Sequence, residues 1–300
     1  MRVPHRQRFV DLLDRKAKYL FPTPALIVIF AIMLFPVIYT LYLSVHSWFV
    51  SSLAPPQFNG LENFKKMFFE DERFRDAVTH TLQFTILAIF AQIVLGVAIA
   101  LVFNREFKGK GIVRTLFLLP MVATPVAISL VWMFMFNPSM GVLNYILDLF
   151  GIPEQLWTTD PSSVIPSLVL VDTWEWTPLI TLIVLAGLAS LPEEPYESAI
   201  IDGASKFQLF YYITLPLLRP TIITAALIRS IDCLKTFDII MVITQGGPGF
   251  ASETLNIYIF NTGLYYFRMG YASSMLVIMF AFVLGISLIL VKVRRGAAAA

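Results

Sequence analysis

Six long apolar runs constrain this chain more than any other feature. They fall at about residues 22–47, 79–103, 113–136, 163–190, 218–244 and 271–291, each near or above the roughly 20 residues that carry a helix across a bilayer. Hydrocarbon offers no partner to a backbone N–H or C=O, so a crossing segment has to satisfy its own hydrogen bonds. Long, continuous apolar runs do that as helices. The expected fold class is an all-α membrane protein with six transmembrane helices. Composition agrees: 57% of residues are hydrophobic and 14% charged, where soluble domains carry about 25% charged residues. The net charge of +2 gives no argument for nucleic acid, and none is expected as a partner.

Charge placement orients the runs. With the N-terminus inside, the inner segments hold Arg2, Arg6, Arg8, Arg15, Lys16 and Lys18, then Arg105, Lys108, Lys110 and Arg114, then Lys206 and Arg219, then Lys292, Arg294 and Arg295. The outer loops hold Lys65, Lys66, Arg73, Arg75 and Arg268. Fifteen inside against five outside puts both termini in the cytoplasm by the positive-inside rule. A signal peptide is rejected for the first run, which is long and lacks a small-residue cleavage site. Residues 1–21 are expected to be a cytoplasmic N-terminal segment, residues 22–292 the membrane domain and residues 293–300 a cytoplasmic tail. Its closing Ala297–Ala300 reads as a cloning remnant.

Several chemistries are unsupported. The single cysteine, Cys233, lies in an apolar run and reads as a small buried residue. No Cys/His spacing suggests a metal, no phosphate-binding Gly-x-x-x-x-Gly-Lys-Ser/Thr motif occurs, and no nucleophile–base arrangement is visible.

Between the fourth and fifth runs lies a stretch too polar to span and too patterned to be a loose loop: residues 191–219, followed by Pro220. Tyr196, Ala199, Ile200, Gly203, Phe207, Phe210 and Tyr211 recur at three- and four-residue steps, one face of a helix. Glu193, Glu194 and Glu197 suit the positive end of a helix dipole. Gly203 permits a sharp turn between two short helices, and Pro216 and Pro220 are expected to end the second. Ala199, Gly203 and Ala204 leave a shallow patch for another backbone. The result is a helical finger shaped for a partner to grip.

These residues also carry a resemblance. Glu197-Ser198-Ala199, Asp202-Gly203-Ala204, Phe207, Phe210 and Ile213-Thr214-Leu215-Pro216 resemble the "EAA" loop of binding-protein-dependent ABC importer permeases of the maltose-transporter, carbohydrate type. Ser198 departs from the family's alanine, small for small. Gly141-x-x-Asn144, Arg114 with Leu119-Pro120, and Phe237-Asp238 with Thr244-Gln245-Gly246-Gly247-Pro248 are similar to further family patterns, so the likeness runs from about residue 20 to residue 292. It implies a multi-pass permease subunit of the bacterial inner membrane and a cytoplasmic coupling-helix loop at 191–219. Glu197, Ala199, Asp202, Gly203, Ala204, Phe207, Leu215 and Pro216 would couple that loop to the ATPase. It also implies the partners: a second homologous permease, two ATP-binding subunits and an extracytoplasmic solute-binding protein. ATP and Mg would sit in the ATP-binding subunits, so the chain itself would hold no cofactor and be no enzyme.

Ionisable residues inside spans are costly and usually face protein or a water-filled path. The fourth run carries Asp172, Trp174, Glu175 and Trp176; the fifth carries Arg229, Asp232, Lys235 and Asp238 at three-residue steps with alternating sign. Two readings stay open. The charges neutralise each other along one helix as Arg229–Asp232 and Lys235–Asp238, and the tryptophans form an interfacial belt. Alternatively Asp172, Trp174, Glu175, Trp176, Asp232, Lys235 and Asp238 line a solute path, bonding hydroxyls and stacking on sugar faces. The competing functions are an ion-gradient-driven secondary transporter, a membrane-embedded enzyme, and an ABC importer permease for a non-sugar solute such as a glycerol-phosphate.

Overall fold

The computed structural model describes residues 16, 19, 21–52 and 54–299. Most of the expected N-terminal segment, with Arg2, Arg6, Arg8, Arg15 and Lys18, lies outside the described residues, as do the side chains of the closing alanines. Among the described residues five helices are long and apolar enough to cross a membrane, and the count is six where a bent helix pair is taken as one span. Packing divides the chain into two units, Met1–Lys66 with Thr262–Val277, and Met67–Asn261 with Ile278–Ala300.

In the first unit, α1 (Pro22–Ser44) keeps nearly every side chain exposed, as suits a helix surrounded by hydrocarbon. A pair of two-residue strands, β1 (His46–Ser47) and β2 (Gln57–Phe58), follows it in antiparallel register. The outer loop that follows carries α2 (Glu62–Phe69). Leu61 and Phe68 are exposed, and Asn63 and Met67, one turn apart, are the buried pair. Asn63 turns inward because its amide has work there, donating to the Ser44 and His46 carbonyls at 3.0 Å each.

The second unit is built on α3 (Glu72–Phe103) against α7 (Val164–Leu188). Asp71 caps α3, accepting from the Phe74 amide at 3.0 Å. Backbones close where side chains vanish: a Cβ on Gly96 would lie 2.6 Å from Ile180, and one on Gly187 would lie 2.7 Å from Thr221. Small residues at such crossings are how membrane helices gain dispersion contact. Val97, Ala100, Ile180, Val184, Leu218 and Ala225 bury one core cluster beside these crossings. Phe84, Ile128, Trp132, Phe136, Leu168, Ile240 and Ile257 belong to another.

Prolines decide where the spans break. The third run is two helices, α4 (Lys110–Val122) and α5 (Pro125–Met135), bent by 97°. Pro125 makes the break, because a residue before proline is pushed out of the α region and Thr124 is extended at φ −72°, ψ 137°. Pro120 stays inside α4. A short helix follows Gly141, α6 (Val142–Leu149). Asn144 locks it: its amide donates to Pro138 and Gln155 carbonyls, and its oxygen accepts from the Gln155 amide and from Trp157 Nε1 at 2.8 Å.

The fifth run departs most from expectation. After α8 (Glu194–Ile201), helix α9 runs unbroken over Lys206–Leu234. Pro216 and Pro220 therefore do not end the second finger helix. A π-helical turn at Phe210–Thr214 widens the coil just before Pro216, which eases the clash a proline ring makes with the preceding turn. The Thr214 hydroxyl bonds the Leu209 carbonyl at 3.2 Å. The helix ends instead at Leu234, and Asp238 opens a separate short helix, α10 (Asp238–Ile243). Two further helices close the chain, α11 (Leu255–Phe260) and α12 (Met269–Ala299).

Candidate functional site

Three places in the second unit gather chemistry. The first is a buried polar cluster where α3, α7 and α9 meet. Arg229 of α9 is 1% exposed, one of the largest fully buried side chains. Its Nη2 donates to Asp172 Oδ2 at 2.8 Å and its Nε to Gln92 Oε1 at 2.9 Å. Gln92 Nε2 donates to the same Asp172 oxygen at 2.7 Å, so the three groups close a ring. Cys233 Sγ lies 3.1 Å from Arg229 Nη2. The guanidinium also sits over the Trp176 ring, 4.8 Å from its centroid. Charge this deep survives only when paired and hydrogen-bonded, and each of these partners meets part of that need.

This cluster floors a cavity of about 330 Å³, lined by Asp172, Trp176, Arg229, Asp232, Lys235, Asp238 and four further residues. That is the small end of the roughly 300–1,000 Å³ found for small-molecule sites. Five of the seven expected path residues thus face one space: Asp172, Trp176, Asp232, Lys235 and Asp238. Trp174 and Glu175 do not line it. Helical residues two apart point to different sides, and Trp174 lies in an apolar hollow with Leu116, Phe117, Leu119, Pro120 and Ala123, edge-on to Trp132. Glu175 is 1% exposed, with Oε2 unpartnered. The ion-pair row along one helix forms only in part, as a long Arg229–Asp232 pair. Arg229 Nη1 and Asp232 Oδ2 are 3.9 Å apart, Arg229's short contact is to another span, and the α9 break separates Lys235 from Asp238. Gln92 escaped the sequence reading because an uncharged residue in an apolar run raises no alarm.

A second polar cavity, about 420 Å³, is lined by Arg73, Asp76, His80, Phe250 and Glu253 among others. Arg73 forks onto Glu253 at 2.5 and 2.7 Å and covers the Phe250 ring at 3.7 Å. Asn261 bonds the same carboxylate at 2.9 Å. The Gly246-Gly247-Pro248 turn precedes Glu253, and Thr244 and Ser252 hydroxyls meet at 2.8 Å across it. Neither Arg73 nor Glu253 stood out in the sequence as a site residue, since they are 180 positions apart and each sits in a polar segment.

The third place is the finger. Gly203, at φ +80°, turns the chain between α8 and α9 in a conformation that favours glycine. Ser205 and Gln208 form a capping box, with bonds of 2.7 and 3.3 Å. Tyr196 OH donates to Thr214 Oγ1 at 3.0 Å, tying α8 to the π turn. The finger's apolar residues divide. Tyr196, Ala199, Ala204 and Phe210 are partly covered, while Ile200, Ile201, Phe207, Tyr211 and Tyr212 stand exposed. Glu197, Asp202 and Gly203 are exposed beside them, with Leu215 partly covered and Pro216 exposed where α9 leaves the finger.

The family described as binding-protein-dependent transport system inner membrane component matches residues 92–295, more than half of the chain and including the Arg229 cluster and the finger. The chain belongs to that family. As a binding-protein-dependent permease it is 35% identical to the trehalose/maltose transport system permease protein MalF of Thermococcus litoralis, over 94% of this chain and 95% of that one. It is 32% identical to the sulfoquinovosyl glycerol transport system permease protein SmoG of Agrobacterium fabrum, over 98% and 95%. Among solved structures it is similar to a chain of a bacterial alginate ABC transporter in complex with an alginate pentasaccharide-bound periplasmic protein. That likeness has a TM-score of 0.78, 24% identity and coverage of 94% and 96%, and it establishes the permease fold.

Proposed function

We propose that this permease subunit carries a carbohydrate from an extracytoplasmic binding protein into the cytoplasm, in an importer driven by ATP. A second, homologous permease and two ATP-binding subunits complete the assembly, and those subunits hold ATP and Mg²⁺ and perform the hydrolysis. Both termini and the finger face the cytoplasm, in line with the Lys and Arg distribution. The chain's own work is translocation. Asp172, Asp232, Lys235 and Asp238 bond solute hydroxyls, and Trp176 offers its rim. The names of relatives, trehalose/maltose and sulfoquinovosyl glycerol among them, support a carbohydrate cargo.

The observation that carries the reading is the finger's surface. Ile201 and Phe207 are 85% and 73% exposed on either side of the Gly203 turn, at the end of α8 and at the capped start of α9. Exposed apolar side chains on a polar, interfacial loop mark a protein contact. In physical terms the ATPase binds two states of one bistable assembly with different affinity, and the finger transmits that difference. The test is Phe207→Ala with Ile201→Asp. The doubly substituted permease is expected to reach the membrane at normal level and to lose most co-purifying ATPase and uptake. Full ATPase retention and uptake would remove the finger from the coupling role.

A further inference from the structure

The cavity beside Arg229 is built to test the charge of what enters it. A carboxylate only accepts hydrogen bonds. Asp172 is already engaged by Arg229 and Gln92. Asp232 and Asp238 are exposed at the cavity. The Arg229 Nη1 to Asp232 Oδ2 separation of 3.9 Å is longer than a hydrogen bond. Asp232 is thus ion-paired to Arg229 without a hydrogen bond, and it and Asp238 keep oxygens that can accept from a ligand. A hydroxyl donates, whereas a phosphate, sulfonate or carboxylate oxygen does not. The Nη1–Oδ2 gap sets one donor beside one acceptor, an arrangement that neighbouring hydroxyls on a sugar ring satisfy together. Arg229 is not free to swing toward an anion, because Nε and Nη2 are committed to Gln92 and Asp172 and its plane lies over Trp176. Lys235 is the remaining cation of the lining, so three carboxylates face two positive groups. The fold leaves this question open, since one structural neighbour imports an acidic polysaccharide.

Resting on the carbohydrate-permease reading, we propose that this cavity favours neutral hydroxylated solutes over anionic ones, with Asp232 and Asp238 as the specificity-determining residues. The test is equilibrium binding to the complete permease–ATPase complex in nanodiscs, without its binding protein, using trehalose and trehalose 6-phosphate as probes. The parent complex is expected to prefer trehalose by about tenfold or more, the scale of one nearby charge in a partly shielded site. Asp232→Asn and Asp238→Asn should each narrow that preference by about threefold, and Lys235→Gln should widen it. An unchanged preference in the doubly substituted Asp232→Asn, Asp238→Asn complex, with parental thermal stability, overturns the inference. So does binding of neither probe to an assembled complex. ATP-driven uptake of labelled carbohydrates by the full importer in vesicles separates the two levels. Uptake with an unmoved preference removes only the charge filter, and no uptake of any carbohydrate removes the function and the filter together.

Discussion

Arg229 shows how much one residue organises here. Its ring with Asp172 and Gln92 joins three helices, so truncation does more than delete a contact. Arg229→Ala strands the Asp172 carboxylate at 1% exposure, a change worth about 3–5 kcal/mol of stability. The purified permease is expected to melt well below the parent. Replacing both partners, Arg229→Met with Asp172→Leu, should recover most of that stability while leaving uptake impaired, because the cavity floor loses its polar groups. A double variant that is both stable and fully active would make the ring purely structural. The two charges announced themselves in the sequence, since ionisable residues in spans are expensive. Their partnership did not: Asp172 and Arg229 are 57 positions apart, and local spacing pointed to Asp232 instead. A three-residue step brings side chains near, but a buried guanidinium takes the partner that removes it most fully from unpaired charge.

At the level of elements, periodicity and apolar length located the spans and proline chemistry set their breaks, but proline was read too uniformly. Pro125 breaks a helix because Thr124 can leave the α region into an open turn. Pro216 does not, because a π turn precedes it and the helix beyond is held by Leu218 and Ala225 in the core. The competition is between local strain and packing, and sequence spacing reports only the first. The Gly141-x-x-Asn144 pattern proved to be a joint of the fold. A Cβ on Gly141 would meet the Asn137 and Met135 carbonyls at 2.3 and 2.4 Å. These are backbone atoms that cannot step aside, so Gly141→Ala is expected to cost about 1–3 kcal/mol and loosen the Asn144–Trp157 bond. A lowered melting temperature with a changed tryptophan emission would show it, and an unaltered melt would mean that the loop yields without cost.

For the whole molecule, the finger and the cavity beside Arg229 are the two ends of a single element. Helix α9 covers 29 residues, about 43 Å at 1.5 Å per residue. It starts beside the Gly203 turn and carries Arg229 and Asp232 near its far end. An axle can be driven from either end. If the ATPase turns it to change how the cavity holds a sugar, then the sugar in the cavity changes how tightly the ATPase is held, by the same factor. Saturating solute is therefore expected to shift the affinity of the ATP-binding subunits for this permease, by about 5–150-fold on the usual scale of such coupling. Titrating labelled ATPase onto the permease with and without solute reads that shift, and its absence would mean that the two ends turn independently.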